Sequence, residues 1–167
     1  MGLWLAYKEG VSCYILLDAY GCKTLDKEYV KTMREAGAKV VFFNPFTFKN
    51  IFSNWRVNER THRKILLIDG KTGFTGGVGI ADEWSGNAQG SGHYRDIHFK
   101  VQGEIVTQLQ MAFFDNWLEY PGFMMITEKF YLHETREGEL DANILTSTPG
   151  EKYSALNLMV KSALRAA

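Results

Sequence analysis

The most constraining stretch of this chain is an apolar strand, a capped helix and a second apolar strand in close succession. Val11–Asp18 (VSCYILLD) is short and largely apolar, and follows Gly10, the pattern of a buried strand. Asp26 stands where a helix N-cap belongs, Glu28 falls in the first turn of a helix over Lys27–Ala36, and Gly37 supplies the stop. Val40–Phe43 is the second strand, closed by Asn44-Pro45. Strands joined through a helix pair in parallel, so the chain is directed to an α/β architecture.

Beyond a mixed aromatic and polar loop over Phe46–Arg60, His62–Asp69 (HRKILLID) reads as a strand. Asp69-Gly70 then turns the chain into Phe74-Thr75. Gly76-Gly77-Val78-Gly79 leads to a short turn or helix near Ile80–Trp84, and Ser85–Tyr94 is rich enough in Ser, Asn and Gly to be a loop. Asp96–Val101 alternates, placing Ile97, Phe99 and Val101 on one face. Glu104–Leu118 is the clearest helix, with Ile105, Leu109, Ala112, Phe113 and Trp117 as its apolar stripe, and Pro121-Gly122 ends it. Residues 121–142 read as a linker, Asn143–Ser147 as a further strand and Tyr153–Ala167 as a further helix.

The 167 residues are 46% hydrophobic and 23% charged, the balance of a globular chain able to bury a core. Nineteen basic and nineteen acidic residues cancel, so nothing in the net charge points to nucleic acid. Cys13 and Cys22 lack metal-ligand or redox spacing and read as reduced thiols. No apolar run reaches the ~18 residues of a membrane span, and no secretory signal opens the chain. These features favour a location in the cytoplasm or peripheral to the inner membrane.

The chemistry concentrates in His62–Asp82 (HRKILLIDGKTGFTGGVGIAD). On a strand, His62 and Lys64 leave the same face. An imidazole beside an ammonium suits attack on an anion, the lysine holding phosphoryl oxygens while the imidazole acts as nucleophile or proton carrier. Asp69 has the opposite parity and reads as support for the Asp-Gly turn rather than as a direct participant. Gly76, Gly77 and Gly79 permit close approach of backbone to ligand, and their N–H groups could form an anion-binding nest. Gly70-Lys71-Thr72 mimics the end of a P-loop, but Ile65 stands where that motif needs glycine.

His62-x-Lys64 followed by Asp69 and then Gly76-Gly77 resembles the signature of the phospholipase D superfamily. The resemblance continues through Tyr94–Gly103 (YRDIHFKVQG) and the helix ending Phe113–Trp117. It is strongest toward bacterial cardiolipin synthase-like members, covers residues 1–120 as a first catalytic repeat, and makes 143–167 the start of a second, truncated one. The fold it implies is a mixed β-sheet flanked by helices on both faces, an α-β-α sandwich that is incomplete here. The reaction it implies is phosphodiester transfer or hydrolysis without metal or cofactor. His62 would form a phosphohistidine, Lys64 would neutralise the phosphoryl oxygens, and Asp96 would orient a catalytic imidazole. Asp69 belongs to the motif, in its supporting role. The implied substrate is a phospholipid, with contact to a membrane surface. The implied partner is a second H-x-K-x4-D repeat, from further chain or from a homodimer. In one respect the sequence departs from the family, which commonly places asparagine at the position of Gly79.

Two other readings stand beside this one: a homodimeric single-motif phosphodiesterase or nuclease, and an inactive truncated fragment. Met1–Gly10 reads as entering partway into a helix that follows a missing strand, and the C-terminal helix has no cap. The chain alone is therefore expected to show little phosphatidyltransferase activity. Arg60 and Arg95 flank the motif and are candidates for phosphate binding or for structural ion pairs. His93 and His98 have no metal-ligand spacing with His62, and a lysine in the site opposes a bound cation. His98 shares parity with Asp96 and Lys100. Phe52, Trp55 and Trp84 are candidates for a rim, with core packing as their ordinary fate, and His133 lies outside the matched segment.

Overall fold

The structure, a computed structural model, describes residues 10–45, 60–118, 120, 138, 140–147 and 155–166. The expectations for residues 1–9, for the loop bearing Phe52 and Trp55, for His133 and for most of the linker lie outside these residues. The chain divides into two compact units, Met1–His62 and Arg63–Ala167.

The first unit is the strand–helix–strand. β1 (Tyr14–Asp18) and β2 (Lys39–Phe43) pair in parallel, Tyr14 opposite Lys39 and Asp18 opposite Phe43. The connecting helix α1 (Lys27–Glu35) starts as its sequence requires: the Asp26 carboxylate accepts from the Glu28 N–H at 2.9 Å. It ends at Gly37, whose φ of 82° a β-carbon would oppose. Val30 of α1 packs with Ala38 and Val40 as the buried centre, ringed by Cys13, Ile15, Leu17, Leu25, Met33 and Phe42. Fully burying an aliphatic side chain of this kind contributes about 1.5–3 kcal/mol, so a few of them decide whether the helix stays on the strands.

In the second unit β3 (Ile65–Ile68), β4 (Thr72–Gly76) and β5 (His98–Gln102) form an antiparallel sheet in that order. Asp69 and Gly70 make the turn at φ 51° and 63°, and the Lys71 N–H donates to the Ile68 carbonyl at 3.0 Å. Leu67, Gly73 and Val101 lie opposite one another across the three strands and therefore share a face. Helix α2 (Glu104–Trp117) sits on that face. A β-carbon on Gly73 would stand 2.8 Å from Leu109 Cδ2 and 3.1 Å from Val101 Cγ2, so glycine lets the helix come down onto the strand. Val106 and Trp117 are fully buried, and Phe113 stacks on Trp117 with centroids 5.5 Å apart. Helix α3 (Ala155–Ala166) buries no residue.

Several expectations change. Among the described residues the strands form two small sheets, a parallel one in the first unit and an antiparallel one in the second. The strand expected from His62 begins at Ile65, because the ladder to β4 starts at the pair Ile65–Thr75. On α2 the buried set is Val106, Leu109, Gln110, Ala112 and Trp117; Ile105 is only half-buried. Ile97 and Phe99 are exposed, since α2 covers the Val101 end of their face. The opposite face is open at Leu66 and Ile68, 55% and 47% exposed, so among the described residues this sheet carries a helix on one face only. Residues 143–147 form no strand. The Ile144 N–H goes instead to Gln108 Oε1 at 2.9 Å, a side-chain partner from α2 in place of a ladder.

Candidate functional site

Within the first unit, the end of β1 organises the approach to His62. One oxygen of Asp18 accepts from the N–H groups of Tyr20 and Gly21 at 3.0 and 2.8 Å, closing the turn after the strand. The other accepts from the Thr61 N–H at 3.1 Å, across 43 positions of sequence. The residue next to His62 is thus tied to the strand end. Arg60 is engaged locally: its Nη1 donates to the Asn44 carbonyl at 3.3 Å, and its guanidinium lies 5.2 Å from the centroid of the Tyr20 ring. One donor of Arg60 therefore has a structural use. Cys13 and Cys22 are free thiols, and burial, with the Asp18 charge second, pushes the Cys22 thiol up from its ordinary range.

Within the second unit, Arg63 opens the segment and reaches α2, donating from Nη1 to the Ala112 carbonyl at 2.6 Å. Its side chain goes to the helix-bearing side, as Leu67 does further along. Lys64 comes instead to Gly79, where a β-carbon would lie 3.7 Å from Lys64 Cε. The glycine strip 76–79 runs beside three chemically capable side chains. A β-carbon on Gly76 would meet the Ile97 carbonyl and His98, including Nδ1 at 2.9 Å. One on Gly77 would fall within the Asp96 carboxylate itself, and one on Gly79 would lie 3.0 Å from Trp84 Nε1.

These glycines act by absence of a side chain rather than as a nest. A nest needs backbone of alternating hand, and none of residues 76–79 has a positive φ. The Gly77 N–H is moreover committed to the Ile97 carbonyl at 3.1 Å. Asp96 forms no ion pair with Arg95 or Lys100; its Oδ1 accepts from the Ile97 N–H at 2.6 Å while the carboxylate rests on Gly77. Arg95 is exposed, with no hydrogen bond or ion pair among the described residues. Asp69 is at the hairpin turn, where its positive φ serves the backbone. His98 begins β5 opposite Gly76 and is exposed, whereas His93 Nδ1 is buried without a hydrogen-bond partner.

A cardiolipin synthase of Geobacillus sp. (strain WCH70) is 33% identical to this chain over 164 residues, 95% of the chain and 32% of that protein. Cardiolipin synthase 1 of Bacillus anthracis is 41% identical over 114 residues, 66% of the chain and 21% of that protein. The major cardiolipin synthase of Bacillus subtilis (strain 168) is 34% identical over 151 residues, covering 89% and 31% of the two chains. The chain is homologous to bacterial cardiolipin synthases. It spans about a third or less of the length of these relatives. No protein-family model and no solved structure matches it.

Three residues of this cardiolipin synthase-like stretch matter to the site's geometry beyond what the motif indicates. Asp18 sits at the end of an apolar strand, where a lone carboxylate is a visible but ambiguous signal. Arg63 is hidden inside the motif as its variable position, and only the contact with α2 reveals its use. Trp84, expected at a rim or in the core, has its indole nitrogen turned to Gly79 beside Lys64. Among the described residues, no helix is long and apolar enough to cross a membrane.

Proposed function

We propose that this chain is one catalytic repeat of a phospholipase D-like phosphatidyltransferase, acting on phospholipids through a phosphohistidine on His62. The observation that carries this reading is the convergence of Lys64 on Gly79 and of Asp96 on Gly77, within a segment homologous to cardiolipin synthases. His62 attacks phosphorus, the bond from phosphorus to the first alcohol breaks, and that alcohol leaves with a proton. A second alcohol or water then attacks the phosphohistidine, gives up a proton and frees the imidazole. Lys64 supplies the fixed positive charge at the non-bridging oxygens, aided by Arg60 and Arg95. Gly76, Gly77 and Gly79 line the phosphoryl site by making room for His98, Asp96 and Trp84 beside Lys64, and Asp69 holds the hairpin that presents them. Asp96 orients an imidazole, and the proton for the leaving alcohol comes from the histidine of a second repeat. Residues 1–120 are the repeat, 121–142 its linker and 143–167 the entry to the next one. The complete domain is an α-β-α sandwich peripheral to the membrane, in which further helices cover the face bearing Leu66 and Ile68.

A substrate whose leaving group needs no proton isolates the first half of this chemistry. With a phosphatidyl ester of p-nitrophenol, an acidic phenol, the chain should release up to one equivalent of nitrophenolate and retain an acid-labile phosphoryl adduct on His62. His62→Ala should abolish both. Persistence of the adduct in that variant would remove His62 as nucleophile. With phosphatidylglycerol, whose alcohol needs a proton, the monomeric chain should produce no cardiolipin; clear turnover would refute the half-site.

A further inference from the structure

Trp84 is held beside Lys64 from two directions. Its backbone closes the 3-10 turn Asp82–Trp84, the Trp84 N–H donating to the Ala81 carbonyl at 3.0 Å. Its ring rests on Tyr94, centroids 5.4 Å apart at 43°, and the Tyr94 N–H donates to the Glu83 carbonyl at 2.7 Å, which pins that ring in turn. So placed, the indole directs its nitrogen edge at Gly79: a β-carbon there would be 3.0 Å from Nε1 and 3.3 Å from Cδ1, with Lys64 Cε at 3.7 Å. Among the described residues this indole N–H has no hydrogen-bond acceptor. An indole nitrogen only donates, and such a donor without a protein partner, with the Lys64 side chain passing the same glycine, suits an anion with at least two oxygens.

We propose that the Trp84 indole N–H binds one non-bridging oxygen of the phosphodiester whose other non-bridging oxygen is held by Lys64, making Trp84 a substrate-binding residue. The inference rests on the phosphoryl site of the preceding section and adds its second donor. One cation and one neutral donor match the single charge of a phosphodiester, spread over two oxygens, better than the double charge of a phosphomonoester. Gly79 is the residue that admits the indole, because any side chain there would displace it.

The test is a titration of the whole chain with diethyl phosphate, followed through the indole N–H signals of its four tryptophans. The Trp84 signal is assigned through its own ring protons. It should move downfield along a saturating curve together with the Gly79 amide, and inorganic phosphate should bind more weakly than the diester. Trp84→Phe keeps a ring against Tyr94 but deletes the donor, and should raise the dissociation constant about tenfold, the size expected for a hydrogen bond to a charged group. If the Gly79 amide titrates while the Trp84 indole stays still, Trp84 is not a ligand and the phosphoryl site survives without it. Failure of every signal from residues 62–84 to respond would overturn the phosphoryl site and this inference with it. The wild-type titration decides the matter even if the variant does not fold.

Discussion

Replacing Arg63 with methionine should weaken the second unit by about 2 kcal/mol, and the contributions can be separated. The Nη1 hydrogen bond to the Ala112 carbonyl is 2.6 Å long, and the Arg63 side chain is 23% exposed. A hydrogen bond from a charged donor contributes about 1.5–3 kcal/mol when water is largely excluded. Helix α2 has no basic residue in its own last turn. Arg63 meets the helix more than a turn before its end at Trp117, so the helix dipole adds little to this contact. The Asp115 carboxylate, 3.5 Å away but 61% exposed, adds next to nothing. Methionine retains the apolar stem and removes only the head. Urea unfolding should show the midpoint lowered by about 1 M for a slope of about 2 kcal/mol per M, with the slope unchanged. Arg63→Lys should recover part of the loss, and Asp115→Asn should cost under about 0.5 kcal/mol. A methionine variant as stable as the parent chain would mean the contact carries no net free energy.

Gly77→Ala should be destabilising by about 1–3 kcal/mol, because its β-carbon would claim the space of the Asp96 carboxylate; adding Asp96→Ala should restore most of the loss in a double-mutant cycle. Asp26→Ala should cost about 1 kcal/mol by removing the cap of α1, read as lost amide protection over residues 27–30. The raised Cys22 thiol favours the neutral form in the folded chain. Its contribution to stability is thus fully present below the ordinary thiol range and is lost as pH rises through the elevated value. Iodoacetamide at pH 8 should accordingly modify Cys22 more slowly in the folded chain than in urea, and equal rates would contradict the shift. Gly73→Ala should cost about 1–3 kcal/mol through overpacking against Leu109 and Val101, seen as a lower melting temperature.

The elements whose evidence is local were legible from the sequence. β1, α1 and β2 follow from an apolar run, a cap and a stop within a few residues of one another, and their parallel pairing follows from the crossover. The Asp69-Gly70 turn follows from dihedrals that only a few residue types accept. What escaped depends on partners far along the chain. Strand parity for His62 and Lys64 assumed a ladder reaching back to position 62, yet the hairpin register starts it at Ile65. The burial of Gln110 and Val106 in place of Ile105 reflects the angle at which α2 lies on the sheet, which helical periodicity alone leaves open. The stretch 143–147 reads as a strand in the sequence, but a strand needs a free edge, and the Ile144 N–H finds Gln108 instead. For the site, residue types were legible and their reasons were less so. The glycines after β4 are explained by Asp96, His98 and Trp84 pressing against them, and not by a left-handed nest.

The displacement of the His62–Lys64 segment from the ladder changes how its precision must arise. A residue in a sheet is aligned by repeated backbone hydrogen bonds on both sides; residues 60–64 lie outside the assigned strands. The nucleophile proposed at His62 would nevertheless have to be held within fractions of an ångström. Two long-range side-chain contacts stand where ladder bonds would be. Asp18 holds the Thr61 N–H within the first unit, and the Ala112 carbonyl holds the Arg63 guanidinium within the second. Each acts on the residue adjacent to His62, one before it and one after. Neither anchor is itself one of the proposed reactive groups, so losing one should loosen the segment without deleting its chemistry. The two kinds of defect can be told apart by experiment. In the nitrophenyl ester assay, Asp18→Asn and Arg63→Met should slow formation of the His62 adduct while leaving its final amount near one equivalent, whereas His62→Ala removes the adduct altogether. A reduced final amount with an unchanged rate would show that these anchors govern the fraction of folded chain and not the alignment of the imidazole.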